Sequence, residues 1–269
     1  MVVLHEDARI FLYPNFLTEE ECDHIIALAE PQLRRSEVVA ADQSGAIGSA
    51  LSDIRTSAGM FFERGQDQVV RAIEERIARW TLLPVGNGEG LQVLKYSGGQ
   101  KYDGHYDFFF DDVNTRNGGN RVATVLMYLQ DVEEGGETTF PLLPAPGGLN
   151  PPEFSNCARS VLAVKPKKGT ALLFHSMTTS GKLEERSLHE ACPPLHSSVK
   201  YSMSKWIHAG AFSTTPEPYA QPAAAAPVPG VLPDVQAQML QQRVQQRKLL
   251  DDAVVQARLT ELHERMTQE

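Results

Sequence analysis

The chain is poor in several things at once. It has three cysteines in 269 residues, Cys22, Cys157 and Cys192. That excludes a disulfide-dense scaffold and a zinc site built from four thiolates, and the odd count leaves at least one thiol unpaired within the chain. No apolar run reaches the roughly 18 residues of a membrane span, so none is expected. Basic residues are in deficit, with 25 Lys and Arg against 34 Asp and Glu and a formal net charge of −9. This argues against a general binder of phosphate backbones, and no nucleic-acid partner is expected. The opening MVVLHEDARI meets charge almost at once and lacks the apolar core of a signal peptide. No asparagine begins an N-x-Ser/Thr acceptor. What is present is ordinary: 42% hydrophobic and 22% charged residues, in a length that suits one or two domains with a sizeable core.

The pattern along the chain changes three times. Thr18 with Glu21 three residues on is a capping-box signature, and Cys22, Ile25, Ile26 and Ala29 share one helical face, so a helix is predicted over 19–30 with Pro31 as its stop. Cys22 then reads as a small buried hydrophobe rather than a reactive thiol. Residues 36–60 contain the small, polar, Gly-bearing stretch AADQSGAIGSALSD, read as a long mobile loop leading into a strand, IRTSAGMFF. Val69, Val70, Ile73, Ile77 and Trp80 predict a second helix at 67–81, closed by Pro84. From residue 91 the period becomes that of strands: LQVLKY, RVATVLMYL, SVLAV, TALLF and KYSMSKWIHA, separated by turn residues, with GGLNPP (147–152) a surface loop. Two helices followed by many spaced strands predict a mainly β fold with flanking α-helices, a barrel or jelly roll. Six prolines and a tetra-alanine run mark 212–233 as a semi-rigid linker, and 234–269, free of Gly and Pro, as a terminal helix.

His105-Tyr106-Asp107 is the focal point for chemistry. Residues i and i+2 of a strand share a face, so His105 and Asp107 should project together, with Tyr106 opposite. One imidazole and one carboxylate are two-thirds of the facial triad of non-haem iron oxygenases. The plain alternative is a surface strand with a hydrogen-bonded His–Asp pair. A third ligand must come from elsewhere, and His189 and His175 are the candidates. Lys200, Ser202, Ser204, Trp206 and His208 alternate along one strand and form either a polar pocket face or a solvated one.

Longer motifs carry a resemblance. LQVLKYSGGQKYDGHYDFFFDDVN with RVATVLMYLQDVEEGGETTF, then VLAVKPKKGTALLF, SLHEACP and KYSMSKWIH, resemble the prolyl 4-hydroxylases, especially the monomeric plant and algal enzymes. NFLTEEECDHI and IRTSAGMFF fit as well, and the resemblance runs over about residues 9–210. It implies a double-stranded β-helix (jelly roll, cupin-like) core in a catalytic domain at 1–211, and an Fe(II)- and 2-oxoglutarate-dependent dioxygenase that uses O2 and ascorbate.

By the same resemblance His105, Asp107 and His189 are the iron ligands, since His189 in SLHEACP matches the distal-histidine motif and His175 does not. Lys200 pairs with the far carboxylate of 2-oxoglutarate, helped by Tyr96 and Thr138. Tyr102, Arg121, Trp206 and His208 line a groove for a proline-rich peptide, with Arg55 and Ser57 on a loop that closes over it. The reaction implied converts peptidyl proline to 4-hydroxyproline with release of succinate and CO2. A related oxygenase acting on another protein target, or a non-catalytic peptide-binding module of the same fold, is the alternative. The His189–Lys200 interval is one residue longer than the family pattern. A turn around Leu195–Ser198 can absorb it, or it shifts the strand so that Lys200 faces outward. Cys157 and Cys192 are either bonded or free. The resemblance implies the endoplasmic reticulum or secretory pathway, whereas no signal peptide and no retention signal (the end is MTQE) is legible. Self-association through the C-terminal segment is a further expectation.

Overall fold

The computed structural model describes residues 1–36, 38–41, 47–50 and 53–214. The expected linker beyond residue 214 and the expected helix over 234–269 lie outside the described residues. The chain divides into two units, Met1–Pro216 and Glu217–Glu269, and the elements below belong to the first.

In chain order these are β1 (Val2–His5), β2 (Ile10–Tyr13), α1 (Glu19–Ala29), β3 (Arg34–Arg35), β4 (Val38–Ala41), β5 (Ile47–Ala50) and β6 (Ala58–Phe61). Next come α2 (Gln68–Thr81), β7 (Gln92–Tyr96), β8 (Tyr102–His105), β9 (Arg121–Tyr128) and β10 (Thr138–Pro144). The last are β11 (Val161–Val164), β12 (Ala171–His175), β13 (His189–Ala191) and β14 (Lys200–His208). An eight-stranded sheet runs β1-β2-β12-β9-β14-β7-β6-β3, and a four-stranded sheet runs β11-β10-β13-β8. The pairings are antiparallel. This is the double-stranded β-helix, or jelly roll, that the motifs imply.

Helix α1 begins where the capping box places it. The Thr18 hydroxyl accepts from the Glu21 amide at 3.2 Å, and the Glu21 carboxylate accepts from the Thr18 amide at 2.9 Å. Such a cap contributes about 0.5–2 kcal/mol. Asp67 caps α2 through the Val70 amide at 2.8 Å. That helix stops at Thr81, before Pro84, because Leu82 turns left-handed at φ 60°. Cys22, Ile25, Val70, Ile73 and Ile77 pack with Val93, Val125, Met127 and Met203 from one face of the large sheet. On its other face Ile10, Tyr128, Leu172 and Phe174 meet Phe140, Leu162 and Val164 of the small sheet. Each fully buried aliphatic side chain there contributes about 1.5–3 kcal/mol.

Two expectations need correction. The stretch read as a long mobile loop holds the end of β4 and all of β5, paired antiparallel from Val38↔Ala50 to Ala41↔Ile47. Its small residues hid the strand pattern in the sequence, and the backbone pairing reveals it. Strand β8 ends at His105, so Asp107 lies just beyond it in a bend. Strand alternation therefore does not bring Asp107 beside His105; other bonds do, as follows.

Candidate active site

His105 closes β8 and His189 opens β13, and the two are direct partners across the antiparallel pair. Their ring centroids are 4.2 Å apart. Each ring is oriented from behind. Nδ1 of His105 donates to the Asp103 carbonyl at 2.8 Å, and Nδ1 of His189 to the Ser187 carbonyl at 3.0 Å. Both Nε2 atoms are thus turned toward Asp107, at 3.8 Å from Oδ1 for His105 and 3.6 Å from Oδ2 for His189. Asp107 is fixed by the Thr124 hydroxyl, which donates to Oδ2 at 2.6 Å from the facing strand β9. One ligand atom from each of the three residues lies within 4.8 Å of the other two.

The electrostatics suit metal ligation. Burial, then repulsion from His189, pushes His105 down to about 3, so its imidazole is neutral. Burial by itself would raise the Asp107 carboxyl. The neighbouring His189, His105 and Arg121 and the Thr124 hydrogen bond outweigh it and hold the group below its ordinary value. Two imidazoles and one carboxylate, each backed by a hydrogen-bond partner, are a donor set for a divalent iron. His175 is not part of this cluster; its Nδ1 meets the Arg9 carbonyl.

Strand β14 supplies the other half of the cavity. Lys200, Ser202, Ser204 and Trp206 line it, while the alternates Tyr201, Met203 and Ile207 sit in the core against the helices. The additional residue before Lys200 is absorbed by a turn: the Ser198 amide donates to the Leu195 carbonyl at 3.0 Å, and His196 is left-handed at φ 53°. The register Lys200↔Tyr96 therefore turns Lys200 inward.

Lys200 is 1% exposed. Its Nζ reaches the Thr138 hydroxyl at 3.5 Å and lies over the rings of Tyr96 (5.4 Å) and Tyr128 (5.6 Å). No ion pair holds it among the described residues. Burial pulls the ammonium down to about 7, opposed only by the charge of Glu137. A buried cation without a counter-ion, across a cavity from a metal donor set, fits a small dicarboxylate.

The remaining expected residues divide. Arg55, Tyr96, Tyr102, Thr138 and Trp206 line the cavity with the triad and Lys200. Tyr102 stacks on His105 with centroids 3.5 Å apart, and Arg55 lies over the Tyr102 ring at 4.8 Å. The Trp206 indole N–H is buried with no hydrogen-bond partner among the described residues. Arg121 and His208 stand behind it. Arg121 covers the Trp206 ring at 3.9 Å, and His208 is 1% exposed. Ser57 is fully buried, bonded to Ser36 at 3.0 Å and adjacent to the Tyr96 hydroxyl, and does not line the cavity.

Sequence reasoning missed Thr124 and Glu89. The Glu89 carboxylate binds Arg121 Nε at 2.6 Å and His208 Nε2 at 2.9 Å. Its setting between Gly88 and Gly90 was the available signal, since a charge flanked by glycines marks a close backbone approach. Cys157 and Cys192 are disulfide-bonded, and Cys22 is free and buried, its thiol pushed up to about 11 by burial.

Comparison with known proteins agrees with this geometry. Residues 91–208 match the 2OG-Fe(II) oxygenase superfamily, which defines the chain as a 2-oxoglutarate-dependent dioxygenase working with Fe(II) and O2. The chain is 49% identical over 214 residues to prolyl 4-hydroxylase 5 of Arabidopsis thaliana, covering 78% of this chain and 72% of that protein. It is 48% identical over 212 residues to probable prolyl 4-hydroxylase 3 of the same plant, with the same coverage of each. It belongs to the prolyl 4-hydroxylase family. Among solved structures, the viral collagen prolyl hydroxylase of Paramecium bursaria Chlorella virus 1, in its complex with 2-oxoglutarate, has a TM-score of 0.54 and 26% identity. That match covers 78% of this chain and 99% of the viral one.

Proposed function

We propose that this chain hydroxylates C4 of proline in a proline-rich peptide, using Fe(II), O2 and 2-oxoglutarate and releasing succinate and CO2. The observation that carries the reading is the convergence of His105, Asp107 and His189 within 4.8 Å, across a cavity from a buried lysine. In this reading the two imidazoles and the carboxylate hold the iron, which supplies the oxidising chemistry when bound. Lys200 holds the far carboxylate of 2-oxoglutarate, and Thr138 and Tyr96 flank it. A charge-assisted contact of this kind is worth about 1.5–3 kcal/mol. Asp103, Ser187 and Thr124 keep the ligand atoms aimed, so little reorganisation accompanies binding.

The peptide lies along Tyr102, Arg55 and Trp206. A proline-rich segment arrives pre-ordered as polyproline II and docks on an aromatic and cationic surface such as Trp206 and Arg55. Arg121 and His208 act on this surface from behind, by fixing the side chains that meet the peptide, while Ser57 holds the Tyr96 hydroxyl. Ascorbate is the reductant that keeps the iron ferrous. The catalytic unit is assigned to residues 1–211, the linker to 212–233 and self-association to 234–269.

Succinate release should depend on a proline-rich peptide, with poly-proline, collagen-like and Ser/Ala-Pro repeats compared, and each turnover should add one oxygen to a proline. Succinate release with no oxidised proline in any of the three would overturn the substrate. A version lacking residues 212–269 should keep its turnover and change only its oligomeric state; lost turnover would reassign the tail.

A further inference from the structure

A charged side chain stands in the core-facing row of β14. Lys205 shares that row with Tyr201, Met203 and Ile207, and its side chain is 2% exposed. Its partner is Glu74 on α2, also 2% exposed, at 2.5 Å. Replacing such a pair with apolar residues is often neutral or stabilising, so stability does not account for it. Its contacts do. Lys205 Nζ also donates to the Glu89 carbonyl. The Glu89 amide donates to the Trp206 carbonyl at 3.0 Å, and Gly88 bridges Ile207. A Cβ on Gly88 would come within 2.2 Å of Lys205 Cε, so the segment and the end of the lysine could not both keep their present places. From the other side of that segment the Glu89 carboxylate binds Arg121 and His208, and Arg121 covers the Trp206 ring.

We propose that Lys205, held by Glu74, is a positioning residue for peptide binding: it clamps the Gly88–Glu89 backbone from the core side so that the Glu89 carboxylate orders Arg121, His208 and Trp206 on the cavity side. The inference rests on the peptide-groove reading above. It makes the buried ion pair a device for geometry, with no direct contact to His105, Asp107, His189 or Lys200.

The double variant Glu74→Gln with Lys205→Met leaves no buried unpaired charge and is the primary test. The KM for a proline-rich peptide should rise about ten-fold or more, a misplaced groove being a binding defect. The KM for 2-oxoglutarate and the peptide-independent release of succinate should stay at the wild-type level. Gly88→Ala, which keeps both charges and pushes the segment off the lysine, should show the same split. A second readout does not depend on the substrate. The chain has two tryptophans, Trp80 and Trp206, so Trp80→Phe leaves Trp206 as the sole reporter. In that background the double variant should shift Trp206 emission to the red and increase its quenching by acrylamide. Unchanged peptide KM in folded variants, or unchanged Trp206 emission and quenching, overturns the proposal. A wild-type protein that oxidises no proline peptide overturns the groove reading instead, and the fluorescence result then still decides whether Lys205 orders Trp206.

Discussion

His105 and His189 face each other as a single cross-strand pair of β8 and β13, with ring centroids 4.2 Å apart. Residues 84 positions apart in the chain are thereby held by backbone pairing before any metal arrives. His189→Ala should abolish turnover and leave the sheet intact. The check is succinate release together with circular dichroism and binding of Co(II) followed by its visible spectrum. Residual turnover above the metal-free background would remove His189 from the ligand set.

Asp107 relies on Thr124, which donates to its Oδ2 at 2.6 Å. Thr124→Val keeps the shape of the side chain and removes the donor. Metal affinity should fall about 10–100-fold, the usual cost of losing a partner behind a ligand. Titration with Co(II) measures it, and affinity equal to wild type would mean that Asp107 is oriented by other contacts.

Lys200→Met should weaken 2-oxoglutarate binding by about ten-fold or more, in line with a lost charge-assisted contact of about 1.5–3 kcal/mol. Metal binding should be unchanged. Calorimetric titration of 2-oxoglutarate separates the two. Equal affinity in variant and wild type would mean that the far carboxylate sits elsewhere.

The same lysine predicts a pH dependence. Burial pulls it down to about 7, so in the ligand-free protein the ammonium is lost as pH rises through that value. A carboxylate needs the charged form. The affinity for 2-oxoglutarate should be full below about pH 7 and fall by up to ten-fold per unit above it. Stability of the free protein runs the other way. Between about pH 7 and 10 the unfolded chain binds a proton that the folded one does not, so stability rises with pH across that window. In Lys200→Met both trends should flatten; an unaltered affinity profile would assign the titration to another group.

The disulfide between Cys157 and Cys192 spans 35 residues. Closing a loop of that length restricts the unfolded chain by about 3–4 kcal/mol. Cys157→Ala with Cys192→Ala should lower denaturant stability by about that amount while the His105–Asp107–His189 cluster, held by other bonds, keeps its metal affinity. Urea unfolding measures the first and Co(II) titration the second.

Much of this site was legible from the chain because its chemistry is written in short, spaced motifs. HYD and SLHEACP, read through the family resemblance, pointed to the three residues that the fold brings together; the alternation of Lys200 with serines left a polar pocket or a solvated face open, and the resemblance alone assigned it to the cavity. The capping box at Thr18 and Glu21 is local, so its two hydrogen bonds were readable as well. What escaped is long-range. Thr124 has no motif of its own and acts because β9 crosses behind a bend. Glu89 and Lys205 have roles only once β14, α2 and the Gly88 segment lie together. The β4–β5 pairing escaped for another reason, since small residues carry no hydrophobic period. Asp107 was placed correctly for a partly wrong reason: the strand ends two residues earlier, and a threonine finishes the job.

The cavity is built from both sheets. His105, His189 and Thr138 come from the four-stranded sheet, and Lys200 and Trp206 from the eight-stranded one. A dicarboxylate held as proposed, by the metal at one end and Lys200 at the other, would act as a rivet through the sandwich. Heating that parts the layers slightly should extinguish activity while the strands are still paired, and saturating 2-oxoglutarate with metal should move that point upward by mass action.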